Sequence, residues 1–237
     1  MIDKRITECI ILAGGLGTRL RSVVPDAPKC MALVNDKPFI TYLISYLQSQ
    51  GIQRFIFSVG YLHQIIVEFI NKEYPKLEAA FVVEEKPLGT GGAIKKSCGK
   101  VSAQNVLVVN GDTLCKANFT SLINLHVQQK ADCTLSLQYT QNADRYGLVQ
   151  TDESGKITGF AEKRTALQGL INGGLYIIDV PKFVSEDLPD VFSFEKDYLE
   201  ALYTKKSFYG LLQNEYFIDI GIPEDYERAQ KELKIEE

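Results

Sequence analysis

The sequence predicts an α/β fold, a mixed and mainly parallel sheet flanked by helices. Two observations carry this expectation. Through the first half, apolar strand-length runs at 9–13, 55–59, 79–83 and 106–109 alternate with helical patterns, the signature of right-handed βαβ crossovers and a parallel sheet. The second half changes character to short strands separated by turn chemistry such as Asp152-Glu153-Ser154-Gly155. At 237 residues the chain is long enough for one well-buried domain and too short for two ordinary ones.

Each element has a local reason. The opening strand, 9–13, is an apolar run stopped at once by Gly14-Gly15. Residues 21–37 read as an extended, proline-containing connection carrying Pro28-Lys29. Pro38 then suits a first helical turn, and Phe39, Tyr42, Leu43, Tyr46 and Leu47 recur at helical spacing until Gly51. A strand at 55–59 precedes a second amphipathic helix with Leu62, Ile65, Ile66, Phe69 and Ile70 on one face. The strand at 79–83 is followed by a loop over 84–92, a short helix, and the strand 106–109 ending in Asn110-Gly111-Asp112. Leu135, Leu137 and Tyr139 alternate with Thr134, Ser136 and Gln138, which predicts a strand with one wet face. Strands at 146–150, 157–162 and 170–178 follow, then a helix at 194–203, a strand at 208–212 and the run 216–221. The closing helix has Pro223 at its start, Glu224 and Asp225 in its first turn, and Lys231 and Lys234 near its end, matching the helix dipole.

Composition excludes several classes. Net charge is −4 with scattered Lys and Arg, whereas nucleic-acid binding needs a concentrated basic face. Five widely spaced cysteines without a C-x-x-C pair fit free thiols better than disulfides or zinc. The polar start and the short apolar run after it match neither a signal peptide nor a membrane span, so the cytoplasm is the expected address.

The chemistry concentrates in loops after strands. Gly14-Gly15-Leu16-Gly17 strips side chains where a ligand must approach the backbone, and converging N–H groups there suit phosphate oxygens. Thr18 and Arg19 follow, the latter a forked, fixed-charge donor for phosphate, and Lys29 is a second cation. No P-loop string occurs. A dinucleotide fingerprint starting at Gly15 fails because Leu20 stands at its third glycine and the strand 54–60 ends without a ribose-binding acid. Asp112 and Asp219 each end an apolar strand beside glycine. Two such carboxylates on one rim can hold a hard cation such as Mg²⁺, or each can simply cap a turn. In open parallel sheets the ligand crevice lies outside the carboxyl ends of the strands, where Gly14–Arg19, the 84–92 loop and Asp112 would converge. His63 and His126, the two histidines, read as surface or packing residues of helices.

Taken together, Leu12-Ala13-Gly14-Gly15-Leu16-Gly17-Thr18-Arg19-Leu20, Pro28-Lys29, Pro87-Leu88-Gly89-Thr90-Gly91-Gly92-Ala93, Asn110-Gly111-Asp112, Glu162-Lys163, Asn172-Gly173-Gly174 and Asp219-Ile220-Gly221-Ile222-Pro223 resemble, in order, the sugar-1-phosphate nucleotidyltransferases. Asp144-Arg145-Tyr146-Gly147 and the run 169–176 make the chain most similar, within that family, to guanylyltransferases acting on D-glycero-α-D-manno-heptose 1-phosphate. The resemblance implies a Rossmann-like, GT-A-like nucleotidyltransferase domain over 1–237, with a nucleotide-binding half (about 1–130) and a sugar-binding half (about 131–237). It implies transfer from an NTP to a sugar 1-phosphate with Mg²⁺, releasing pyrophosphate and making an NDP-sugar for surface polysaccharide.

Roles follow from the same resemblance. Leu12, Ala13, Gly14, Gly15, Gly17, Thr18, Arg19, Glu84, Pro87, Gly89, Thr90 and Gly111 would hold the nucleotide, with Arg19 on the leaving pyrophosphate. Arg19, Lys29, Asp112 and Asp219 would be catalytic, and the two aspartates would hold the metal. Lys29, Gly147, Glu162, Lys163 and Asn172 would take the sugar phosphate. One departure is visible. The family usually reads Pro-Lys-Pro, and Cys30 in place of the second proline is expected to loosen the loop around Lys29. Relatives that use pyrimidine nucleotides often carry glutamine where Glu84 stands. A carboxylate only accepts hydrogen bonds, and guanine offers the adjacent donors N1–H and N2–H, so GTP is expected over UTP and dTTP. A mannose-1-phosphate guanylyltransferase, another hexose-1-phosphate uridylyl- or thymidylyltransferase, and a non-catalytic nucleotide-sugar-binding subunit are the alternatives. Tyr61, Tyr198, Tyr203 and Tyr209 are either contacts of a homodimer or ordinary packing residues.

Overall fold

The computed structural model describes residues 6–15, 20, 24, 26–141, 143, 147–161 and 168–234. Four parallel strands form its first half: β1 (Glu8–Ala13), β4 (Arg54–Val59), β5 (Glu78–Val83) and β6 (Asn105–Asn110), in spatial order β5-β4-β1-β6. Their near-continuous apolar character has a direct cause. Cys9, Ile11, Ala13, Phe55, Phe57, Leu107 and Val109 enter one core. Ile10, Ile56, Val106 and Val108 enter a second core on the opposite face. Burial on both faces of β1, β4 and β6 favours apolar side chains in mid-strand, and the buried exception, Ser58 of β4, has its hydroxyl bonded to Glu84.

Helices cover both faces. α1 (Phe39–Ser49), α2 (His63–Glu73) and α4 (Phe119–Gln128) contribute to the first core. α3 (Gly89–Cys98), α5 (Val180–Val184) and a π-helical segment over Phe194–Glu200 contribute to the second. That second core is aromatic: Phe183 packs on Tyr198 with ring centroids 4.9 Å apart, and Tyr198 packs on Phe208 at 5.0 Å. Tyr198 is therefore a packing residue, Tyr203 packs edge-on against Phe160, and Tyr209 is buried, while Tyr61 is exposed.

The second half extends the same sheet with both strand directions. β11 (Gly169–Asp179) runs antiparallel between β6 and β8 (Cys133–Thr140), and β12 (Phe208–Gln213) lies parallel to β8. It follows that β8 and β12 point the same way as β6, so their carboxyl ends share one rim. β9 (Leu148–Thr151) meets β11 at Leu148 opposite Ile171 and pairs with β10 (Ile157–Ala161). β7 (Thr113–Cys115) and β13 (Phe217–Asp219) form a separate antiparallel pair at that rim, and α6 (Pro223–Glu232) follows it.

Three expectations need correction. β8 has no wet face: Thr134 and Ser136 are fully buried and Gln138 nearly so. Their polar groups are satisfied internally, Thr134 by His126 and both Ser136 and Gln138 by Cys115, so the alternation marks two buried faces of different chemistry. The 84–92 stretch is only partly loop, because Gly89 opens α3. Beyond Pro28, the connection expected to be extended contains a 3₁₀ turn, Lys29–Met31, and a hairpin of β2 (Leu33–Val34) with β3 (Lys37–Pro38). The hairpin turns through Asn35 and Asp36 in left-handed conformation (φ 47° and 61°), which these two residue types tolerate best after glycine. Tyr226 and Gln230 of α6 clamp it by donating to the Leu33 carbonyl. Among the described residues no helix is long and apolar enough to cross a membrane.

Candidate active site

A cleft of about 530 Å³ opens at the carboxyl ends of β1, β5 and β6. Leu12, Ala13, Gly14, Gly15, Lys29, Glu84, Pro87, Gly89, Thr90, Gly111 and Asp112 all line it. A parallel strand order of β5-β4-β1-β6 brings these residues together although they lie far apart in sequence. Leu16, Gly17, Thr18, Arg19, Glu162 and Lys163 lie outside the described residues, as do 144–146.

Glu84 is turned into this cleft. Its Oε1 accepts from the Ser58 hydroxyl at 3.2 Å and its Oε2 from the Leu88 N–H at 3.2 Å, while Glu85 and Lys86 stay exposed. The carboxylate also explains Gly14. A Cβ there would be driven into Glu84 Oε1 and would sit 3.2 Å from its carboxyl carbon, so glycine lets the loop after β1 pass this close without displacing the Glu84 side chain. Gly89, at φ +71°, begins α3 in a conformation that penalises other residues. Two of its first-turn donors are taken up within the protein: the N–H groups of Gly91 and Gly92 reach the Phe192 carbonyl at 3.0 and 3.4 Å. Thr90 lines the cleft with its hydroxyl donated to Glu195 at 2.7 Å.

Lys29 does not sit in a loosened loop. The Met31 N–H donates to the Pro28 carbonyl at 2.8 Å and the Ala32 N–H to the Lys29 carbonyl at 3.0 Å. Cys30 anchors the turn with its side chain 2 % exposed. Burial, reinforced by the nearby Asp112 charge, pushes the Cys30 thiol up to about 12, so it stays protonated and unreactive. From this turn Lys29 Nζ reaches Asp112 Oδ2 at 3.1 Å, both side chains partly screened from solvent.

Asp112 and Asp219 are brought together by backbone pairing. Asp219 lies opposite Thr113 in the β7–β13 ladder, and the Ile220 N–H donates to the Asp112 carbonyl at 2.9 Å. Asp219 Oδ1 accepts from the Gly221 N–H at 2.8 Å, the turn chemistry expected of either reading. The structure thus sets the two residues on adjoining backbone, Asp112 in the turn between β6 and β7 with the Lys29 ammonium 3.1 Å from its carboxylate, and Asp219 at the end of β13. Among the described residues no larger cluster of potential metal ligands occurs.

Asp219 is not among the residues lining the first cleft; it lines a second one of about 490 Å³, with Gln138, Tyr139, Thr140, Ile171, Gln213, Glu215 and Arg228 among its walls. Sequence reasoning missed it because its walls come from β8, β11, β12, β13 and α6 and form no contiguous motif. Asn172 and Gly147 are near neighbours on β11 and beside β9, on the stretch of β11 that runs beyond its pairing with β6. Asn172 donates Nδ2 to the Tyr176 hydroxyl at 2.8 Å and accepts from the Gly174 N–H at 3.0 Å. His126 is buried between Thr134 and Asn105, and His63 contacts the Gly60 carbonyl at 3.1 Å; both lie outside the cleft lining.

Comparison with known proteins adds independent findings. Residues 8–236 match the family described as Nucleotidyl transferase. A D-glycero-alpha-D-manno-heptose 1-phosphate guanylyltransferase from Aneurinibacillus thermoaerophilus is 46 % identical over 96 % of this chain and 98 % of its own length. The Campylobacter jejuni protein of the same description is 41 % identical over 92 % of this chain and 96 % of its own. The crystal structure of HddC from Yersinia pseudotuberculosis complexed with GMP-PN superposes with a TM-score of 0.85 at 38 % identity, covering 97 % of this chain and 100 % of that one.

Proposed function

The chain belongs to the nucleotidyl transferase family, and we propose that it makes GDP-heptose and pyrophosphate from GTP and D-glycero-α-D-manno-heptose 1-phosphate. One observation carries the reading. Lys29, the Asp112 carboxylate and the side-chain-free backbone of Gly14 and Gly15 line one cleft, with Asp219 one strand away. The full-length similarity to heptose 1-phosphate guanylyltransferases supports the choice of substrates.

The chemistry suits these residues. A sugar phosphate is largely dianionic at neutral pH, since its second pKa is about 6, so no general base is required. Its oxygen attacks the α-phosphorus of GTP. The new P–O bond forms as the bond from the α-phosphorus to the α,β-bridging oxygen breaks, and pyrophosphate leaves with that electron pair. The obstacle is repulsion between anions, which positioning and fixed positive charge relieve.

Backbone N–H groups of the loop after β1 would receive phosphate oxygens, and Arg19 would hold the departing pyrophosphate. Lys29 rests on Asp112 and would exchange that carboxylate for phosphate oxygens when substrate binds. Asp112 and Asp219 would hold Mg²⁺, which when bound supplies positive charge to the phosphate oxygens. Glu84 would accept from guanine N1–H and N2–H. Gly147, Glu162, Lys163 and Asn172 would grip the sugar phosphate. Five buried free thiols fit a reducing compartment, the cytoplasm, where the product would feed surface polysaccharide assembly.

The test is pyrophosphate release from GTP, ATP, CTP, UTP and dTTP crossed with heptose, mannose and glucose 1-phosphates, with and without Mg²⁺. GTP with the heptose 1-phosphate should give the highest kcat/KM, and only with the cation. A preference for UTP or dTTP would refute the assignment of Glu84, and preference for a hexose 1-phosphate would refute the heptose.

A further inference from the structure

Between Leu12 of β1 and Val82 of β5 the sheet carries Ser58, on β4. It is the one polar side chain in the interior of the four parallel strands, where the other interior positions are apolar. It is fully buried. Alternation along β4 puts it on the same face as Ile56, which packs in the second core with Ile94 and Cys98 of α3. A valine or isoleucine would fill such a position as its neighbours do. A buried hydroxyl is costly unless it is hydrogen-bonded, so the serine has to be explained by its partner.

That partner is Glu84. The Glu84 N–H donates to the Val59 carbonyl at 2.8 Å, which sets the residue just past the end of β5 and beside β4. Its side chain reaches back to the sheet, where the Ser58 hydroxyl donates to Oε1 at 3.2 Å. The Leu88 N–H, in the turn before α3, donates to Oε2 at 3.2 Å. Two donors on two different oxygens fix the plane of the carboxylate as well as its position. With either donor alone the group could swing about its last torsion, which is intrinsically broad for a glutamate. With both in place, each oxygen keeps lone-pair capacity for a ligand in the cleft that Glu84 lines.

We infer that Ser58 is a positioning residue that determines base specificity: its hydroxyl holds the Glu84 carboxylate in the plane where it accepts two adjacent donors at once, the N1–H and the 2-amino group of guanine. The inference rests on the proposed contact between Glu84 and guanine. Ser58 itself is not among the residues lining the cleft, so it acts through Glu84. The consequence is specific. A carboxylate held in plane gains a second hydrogen bond from the 2-amino group, whereas one free to swing satisfies the two donors poorly together. Hypoxanthine keeps the N1–H and O6 of guanine but lacks the 2-amino group, so inosine triphosphate isolates that second bond.

Equilibrium binding of GTP and of inosine triphosphate, without sugar phosphate, tests it. The wild type should bind GTP roughly 10-fold or more tighter, as one charge-assisted hydrogen bond predicts. Ser58→Ala should bring the two affinities within about threefold of each other, chiefly by weakening GTP. Ser58→Val, which fills the site without a donor, should do the same. In Glu84→Ala the two nucleotides should bind about equally, and adding Ser58→Ala should change that ratio by less than about twofold. A smaller folded fraction weakens both nucleotides by the same factor, so a lowered melting temperature alone leaves the ratio unmoved. Equal losses for both nucleotides, with the wild-type ratio kept in Ser58→Ala and Ser58→Val, would overturn the inference and leave the Glu84 contact standing. A wild type that binds inosine triphosphate as tightly as GTP would overturn the contact of Glu84 with guanine and the inference together.

Discussion

Replacing Glu84 by glutamine changes one atom and separates base recognition from folding. In the structure each carboxylate oxygen accepts one protein hydrogen bond, Oε1 from Ser58 at 3.2 Å and Oε2 from Leu88 at 3.2 Å, so each keeps a lone pair for a ligand. The Leu88 N–H cannot turn away, which forces the glutamine oxygen to that position and its NH₂ toward Ser58, whose hydroxyl can rotate to accept. Folding is therefore retained. The edge offered to a base changes from two acceptors to one acceptor and one donor. Against guanine this loses a charge-assisted hydrogen bond and sets donor against donor, at about 1.5–3 kcal/mol. At 1.36 kcal/mol per factor of ten, kcat/KM for GTP should fall roughly 10- to 150-fold, and UTP and dTTP, each with a carbonyl beside an N–H, should gain. Steady-state pyrophosphate release with the five nucleotides measures this, with a thermal melt as control. Unchanged GTP preference in a folded Glu84→Gln protein would refute the reasoning.

Other outcomes follow from the same structure. Gly14→Ala places a Cβ against the Glu84 carboxylate and should force that side chain off Ser58 and Leu88, raising KM for GTP more than KM for the sugar phosphate. Lys29→Met removes the ammonium now 3.1 Å from Asp112; by analogy with losing one charge-stabilising donor, kcat should drop roughly 100- to 1000-fold with the fold intact by circular dichroism. Burial, partly offset by Asp179 and Asp132 and reinforced by Lys182, lowers His126 from 6.5 to about 4. The unfolded chain then binds the extra proton first, so stability should be complete above pH 6.5 and fall as pH drops toward 4. The loss should be up to about 3 kcal/mol from this group, read as urea midpoints from pH 7 to pH 4 and largely absent in His126→Gln.

Much of the site was legible in the sequence because it sits in loops after strands, where glycine and charge have few structural excuses. The Gly14-Gly15 turn, Glu84 and Asp112 stand out for that reason, and a parallel sheet brings them to one rim. What was illegible depended on partners remote in sequence. Thr134, Ser136 and Gln138 look like a solvated face until His126 and Cys115 are seen to cover them. Cys30 looks like a weakened loop until its burial shows it to be the anchor of the Lys29 turn. The Asn35-Asp36 hairpin lacks glycine, and the clamp from α6 that stabilises it lies nearly the whole chain away. Glu195 carries no motif at all, because its partner Thr90 comes from α3, more than a hundred residues earlier in the chain.

The most direct test of the account is the reaction of GTP with D-glycero-α-D-manno-heptose 1-phosphate and Mg²⁺ followed by ³¹P NMR, for the wild type and for Asp219→Asn. The wild type should convert both substrates to pyrophosphate and a sugar diphosphonucleoside. The variant, with the same melting temperature within a few degrees, should leave both substrates unchanged. Product formation by folded Asp219→Asn at the wild-type rate would contradict the claim that the two rim carboxylates make transfer between phosphates possible.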